Sequence, residues 1–256
     1  MTAGARVTVN LGADVGEGMP TDAELIPLCT SVAIACGQHA GDPATMQHAV
    51  ALARRHGVAI GAHPGYPDRE GFGRRAMKLD ANELFAWVVY QVGALAAVAR
   101  VQGANLTHVK AHGALYNHAA GDAATALTLA AATRAVDGDL WLVGLAGSAM
   151  ATAAATHGLR FVAEGFVDRA YREDGRLVPR AQPGAVISGN AAEIAARAVR
   201  MIRDGVVEPV GGGSLSLRID SLCVHGDHPE AVGLARALRA ALAAHGIDVV
   251  PFDRVR

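Results

Sequence analysis

The sequence has little of several things that would each point to a class of partner. It has no surplus of basic charge: 23 Lys and Arg stand against 24 Asp and Glu, a formal net charge of −1. Without a positive field to displace counterions from phosphates, nucleic acid is excluded as the main partner. Cysteine is scarce. Cys29, Cys36 and Cys223 make neither an even secreted framework nor a CxxC metal pair, which points to a reducing compartment. Residues 1–10, MTAGARVTVN, lack a charged-then-apolar leader, and no apolar run is expected to be long enough to span a bilayer. A cytoplasmic protein with no membrane association is therefore expected. Aromatic residues make up only 4% of the chain, so Ala, Val and Leu must fill the core, with backbones packed closely.

What is present is a compact, apolar chain. Hydrophobic residues reach 51% and charged residues 18%, far from the disordered range, and 256 residues suffice for a large core. Short apolar stretches alternate with helical patterns. Strands are expected at 6–11, 31–36, 58–62, 108–111, 140–144, 160–164, 221–225 and 247–252. Thr21–Glu24 and Asp80–Glu83 have the spacing of capping boxes, and Asp42-Pro43 opens a helix that Gly57 closes. Further helices are expected near 121–136, before Gly158, at 189–204 and at 229–244. This rhythm implies parallel strands joined by right-handed crossovers, and without a linker-like break it favours one α/β domain over 1–256, a (β/α) barrel, over an open sheet. GGGS at 211–214 reads as a loop.

The conspicuous polar residues sit at the carboxyl ends of these strands. Asp14 and Glu17 follow the first, His39 the second, His63 the third and His112 the fourth; Glu164, Asp168 and Arg169 follow the sixth, and His225 and Asp227 the seventh. In a parallel barrel those ends converge on the face where ligands bind. In HVKAHGALYN, His108, Lys110 and His112 alternate with Val109 and Ala111, and Lys110 is one of only two lysines in the chain. Side-chain parity puts Asn10, Gly12, Ala33, Gly61 and the polar residues on the inner face, and branched residues against the helices, so small residues are expected to leave room for a ligand. Cys36 and Cys223 are assigned to the same space as small buried groups. His48, His56, His118, His157, His228 and His245 are assigned no role. No phosphate loop, dinucleotide fingerprint or nucleophile elbow is present.

Three chemistries fit such a pocket. Asp14, His39, His63 and His112 suit a divalent cation, although no HxxxH or HExxH helix supports one and no metal ligand is assigned. A carboxylate (Asp14, Glu17 or Glu164) could serve as general base with a histidine as acid in amide hydrolysis. Lys110 could hold an anion of the substrate or an intermediate, since its burial is costly without a countercharge.

The stretches SVAIACGQHAGDP, GAHPGYPDREGFGRR, YQVGAL, HVKAHGALYN, EGFVDRAYREDGRLVPR and LCVHGDHPEAV, in that order, resemble the conserved blocks of the LamB/YcsF family. The family comprises the A component of bacterial 5-oxoprolinase. The resemblance implies an irregular seven-stranded (β/α) barrel like that of polysaccharide deacetylases. It also implies ATP-dependent opening of a small lactam, 5-oxo-L-proline, to L-glutamate in company with B and C subunits. ATP is the implied cofactor, and a divalent cation and self-association are left open. Asp14, Glu17, His39, His63, Lys110, His112 and Glu164 become the expected catalytic residues, and Arg74, Asp168, Arg169, Arg180, His225 and Asp227 the substrate-binding ones. Departures from the family pattern are Asn10 for Asp, Gly12 and Ala33 for Asn, Gln38 for Phe and Ala111 for Pro. The inward changes are expected to remove polar contacts and enlarge the pocket. Metal-dependent hydrolysis of another amide without ATP, and a non-catalytic protein that binds a small carboxylate, remain the alternatives.

Overall fold

The computed structural model describes residues 6–187, 189–228 and 230–255. The first five residues of the stretch read as lacking a leader, and Pro229 at the expected start of the last helix, lie outside them. The elements run β1 (Val7–Val15), α1 (Asp22–Leu25), β2 (Ser31–Ala35), α2 (Pro43–His56), β3 (Ala59–His63), α3 (Ala81–Val101), β4 (His108–Lys110), α4 (Gly113–Gly121), α5 (Ala123–Val136) and β5 (Trp141–Leu145). They continue with α6 (Ala149–Thr156), β6 (Arg160–Phe166), α7 (Ala191–Arg203), β7 (Val206–Val207), β8 (Leu215–Ser216), β9 (Ser221–His225), α8 (Ala231–Ala244) and β10 (Ile247–Val249). Strands β1-β2-β3-β4-β5-β6-β9 pair in parallel, and β9 returns to β1 to close a seven-stranded barrel inside a shell of helices. β1 is shared at the seam: its residues 7–9 pair with β10 and its residues 10–14 with β9.

Local signals explain most boundaries. The Asp42 side chain accepts the Thr45 N–H, Pro43 starts α2, and Gly57 ends it at φ 65°. Asp80 and Glu83 form the expected capping box of α3. The box expected at Thr21–Glu24 does not form. The Thr21 hydroxyl donates instead to the Gly226 carbonyl, and Asp22 accepts the Gly16 N–H, so both side chains tie loops across the barrel mouth. Two further elements are not among those expected: helix α4, which begins directly after His112, and the small antiparallel hairpin of β7 and β8, between which GGGS is a loop as expected.

Helix α3 departs from the expectation that no apolar run is long enough to span a bilayer. Over an 18-residue window its mean hydropathy is 1.7, long and apolar enough by that measure to cross a membrane, though a third of it is buried here. It packs against α5 and α2 outside the barrel.

The barrel interior is filled. At its amino-terminal end Phe252, just after β10, plugs the hole against Val143 and Val162 and stacks on Trp141. Contrary to expectation, the small inward residues leave no room for a ligand there. A Cβ at Gly61 would overlap the His108 ring, which occupies that space with Phe252 at 4.8 Å. What remains beside Gly12, Ala33, Lys110 and Phe252 is about 10 Å³, a single water's worth at most. Asn10 is likewise spent on structure. Its Oδ1 accepts from the Ser31 and Ser221 hydroxyls at 2.8 and 2.9 Å, and its Nδ2 donates to Thr30 Oγ1 at 2.8 Å.

Candidate active site

Strand register brings the polar strand ends together at the carboxyl mouth of the barrel. Asp14 is opposite His225 and Ala33, and Glu164 lies opposite Ser221. Asp14, Glu17, His39, His63, Lys110, His112 and Glu164 are all buried, none more than 8% exposed. They form two adjoining groups.

The first group surrounds Lys110. Its Nζ donates to Asp14 Oδ1 at 2.7 Å, lies 2.9 Å from Glu164 Oε1, and approaches Cys223 Sγ at 3.0 Å. The Phe166 ring lies below it at 5.5 Å. Burial alone would lower the lysine pKa, but Asp14, Cys223 and Glu164 together hold it well above its ordinary value. Burial likewise pushes the Asp14 carboxyl up, and the neighbouring His63 and Lys110 outweigh it and hold it well below the carboxylate range. One cation thus faces two carboxylates. Glu164 also accepts from the Tyr116 hydroxyl at 2.8 Å. Tyr116 stands within HVKAHGALYN, yet sequence reasoning does not single it out, because only a helix starting directly after His112 turns it back to the mouth.

The second group is Glu17 with three histidines. Glu17 Oε1 lies 3.3 Å from His39 Nε2, 3.2 Å from His112 Nδ1 and 3.9 Å from His63 Nε2. The other ring nitrogens of His63 and His112 meet backbone carbonyls: His63 Nδ1 donates to Lys110 O and His112 Nε2 to Phe72 O, both at 2.8 Å. His39 and His112 stack at 3.7 Å. Burial lowers the pKa of both, that of His39 to about 3, so these two rings are neutral. Burial pushes the Glu17 carboxyl up, but its close contacts with His112 and His39 outweigh this and hold it well below its ordinary range. These four side chains could hold a metal ion.

The loop between β3 and α3 seals this group. Among the described residues Phe72 is the one non-glycine residue with positive φ, 53°, and this conformation aims its carbonyl at His112. Next to it Gly73, at φ 63°, passes so close that a Cβ would lie 2.7 Å from His39 Cβ and 2.8 Å from His112 Cδ2.

The residues expected to bind substrate divide. Asp168 Oδ2 pairs with His225 Nδ1 at 2.9 Å, next to the Lys110 group. Arg74 pairs with Asp227 Oδ2, and Arg180 Nη2 lies 3.7 Å from the same oxygen at the rim. Arg169 is buried, and its guanidinium donates to the Val178 and Ala185 carbonyls at 2.7 and 3.2 Å, so it holds the loop after β6 together. Cys223 joins the Lys110 group, whereas the Cys36 thiol turns away to the Ile34 carbonyl.

The chain matches the LamB/YcsF family over residues 9–256. It is 51% identical over 246 residues to the A component of a 5-oxoprolinase from Bordetella parapertussis, covering 94% of this chain and 97% of that protein. It is similar to the crystal structure of a lactam utilization protein from Thermus thermophilus, with a TM-score of 0.88 at 46% identity, covering 95% and 99% of the two chains. A peptidoglycan N-acetylglucosamine deacetylase domain from Eubacterium rectale shares the fold at a TM-score of 0.54 and 11% identity, covering 97% and 89%.

Proposed function

The chain belongs to the LamB/YcsF family, and from that premise we propose that it is the A component of a lactam-opening hydrolase. The assembly, with B and C subunits in the cytoplasm, opens 5-oxo-L-proline to L-glutamate at the expense of ATP. The observation that carries this reading is the 51% identity, over nearly the whole of both chains, with a protein named as that component. A lactam carbon is shielded by amide resonance. Transfer of the γ-phosphoryl group of ATP to the lactam oxygen releases ADP and makes that carbon electrophilic; water then adds, the C–N bond breaks, and phosphate leaves.

The two buried groups suit separate parts of that sequence. Glu17, His63 and His112 gather their acceptor atoms at one place, beside which the attacking water is held and oriented toward the lactam carbon. Lys110, lying between two carboxylates, fixes the positions of Asp14 and Glu164. Arg74 and Arg180 at the rim take the substrate carboxylate. Hydrolysis of a small amide without ATP is the second reading, favoured by the His/Glu group.

Mixing the chain with its B and C subunits, 5-oxoproline and ATP should yield glutamate and phosphate in equal amounts, and Lys110→Met should abolish both. No glutamate in such mixtures, or an unchanged rate in the Lys110→Met protein, would overturn the reading. Glutamate formation without ATP would replace it by the second.

A further inference from the structure

We propose that Glu17, His63 and His112 are the ligands of a resident divalent metal ion, with His39 orienting Glu17. This goes beyond the lactam reading and stands whichever amide is cleaved.

The inference rests on where hydrogens must lie. A carbonyl oxygen only accepts, so the nitrogens 2.8 Å from Lys110 O and Phe72 O both carry hydrogen. A ring that gives its one N–H to a carbonyl keeps a lone pair on its other nitrogen, here His63 Nε2 and His112 Nδ1. They face each other at 3.0 Å. Glu17 Oε1 lies 3.2 Å from His112 Nδ1, and Asp14 Oδ2 lies 3.5 Å from His63 Nε2. Three acceptor atoms, His63 Nε2, His112 Nδ1 and Glu17 Oε1, therefore border one buried spot, with Asp14 beside His63, and the two rings supply no hydrogen to it. Such a cluster repels itself unless a cation sits among its members.

The second observation is the pair of carbonyls. A ligating imidazole characteristically donates its other N–H to a carbonyl or carboxylate, which fixes the tautomer and raises the basicity of the ligating nitrogen. Here both rings are held this way. One of the two carbonyls belongs to Phe72, whose left-handed backbone is itself costly. His39 completes the arrangement. Its Nε2–H donates to Glu17, and its Nδ1, buried with no partner among the described residues, remains the unprotonated nitrogen.

A contrast within the same mouth argues for this spot. Asp14, Cys223 and His225 also have ligand-type atoms close together, but that group already contains a cation, the Lys110 ammonium, at 2.7 Å from Asp14 and 3.0 Å from Cys223. The ion pairs that Glu17 makes among the described residues are all with histidines, none with lysine or arginine. Two imidazoles and one carboxylate suit zinc, cobalt(II) or manganese(II), with remaining positions open to water or an amide oxygen.

The test needs neither lactam nor partner proteins. Protein purified without chelator is analysed for metals, then stripped and titrated with Zn²⁺ and Co²⁺, following heat release and the visible d–d bands of cobalt. One equivalent should bind. Glu17→Gln and His112→Ala should weaken binding at least about tenfold, while Cys223→Ser leaves it intact. Wild-type protein that binds neither ion stoichiometrically overturns the proposal, whatever the variants do; a shared proton then occupies the spot. Binding lost in Cys223→Ser but kept in Glu17→Gln overturns it as well. Because glutamate formation is not read, failure here is separate from failure of the lactam reading.

Discussion

At the scale of single residues, charge balance at the mouth makes the sharpest predictions. Lys110→Met would leave Asp14 and Glu164 buried with no cation between them. Breaking such a pair from one side costs about 3–5 kcal/mol. Urea denaturation should show a loss of that order, and a loss below about 1 kcal/mol would reduce the pair to the worth of a surface ion pair. Asp168 and His225 give a pH signature. Burial raises the Asp168 carboxyl, but His225 outweighs it and brings it down to about 2 from 3.8. Its contribution is therefore present above 3.8 and lost as pH falls through about 2. Burial lowers the His225 pKa, but Asp168 and then Asp14 raise it above 6.5 against the opposing Lys110. That contribution is full below 6.5 and fades as pH rises through the higher folded value. Asp168→Asn should thus cost most stability between about pH 4 and pH 6.5. A cost that stays flat from about pH 2 to about pH 9 would contradict the pairing.

At the scale of elements, caps and close approaches set the cost of change. Asp80→Ala removes the capping box of α3 and should lower stability by about 0.5–2 kcal/mol in thermal denaturation. Gly61→Ala pushes a methyl group into the His108 ring and should cost about 1–3 kcal/mol, where an exposed strand glycine would gain from alanine. Pairing His108→Ala with it should recover part of that loss. The strands and their inward parity are legible in the sequence because alternation is strict where one face meets helices and the other a crowded interior. Helix α4 is not, since Gly113 at φ 55° starts it with no capping side chain. The Thr21 spacing misleads because it cannot tell whether a hydroxyl will find a nearer carbonyl across the barrel, here that of Gly226. The small inward residues mislead for a related reason. Alternation gives the direction of Gly61 and Gly12, but only packing tells that a neighbouring strand's side chain fills the space.

At the scale of the whole molecule, the far end of the chain finishes what the near end starts. Phe252 closes the bottom of the barrel against Trp141, Val143 and Val162. Phe252→Ala should open a cavity there at a cost of about 3–5 kcal/mol, measured by denaturation. The gathering of site residues at one mouth is readable from strand order; the division into a lysine-centred and a histidine-centred group is not, because it depends on side-chain reach across β1. That strand joins β9 and β10 along its length, and Asn10 meets Ser221 across 211 positions of sequence. Closing the ring therefore has to wait until β9 has been made. A nascent chain still tethered at residue 220 holds an open, curled sheet with its apolar rim showing, and the slowest step on release should be the zipping of that seam.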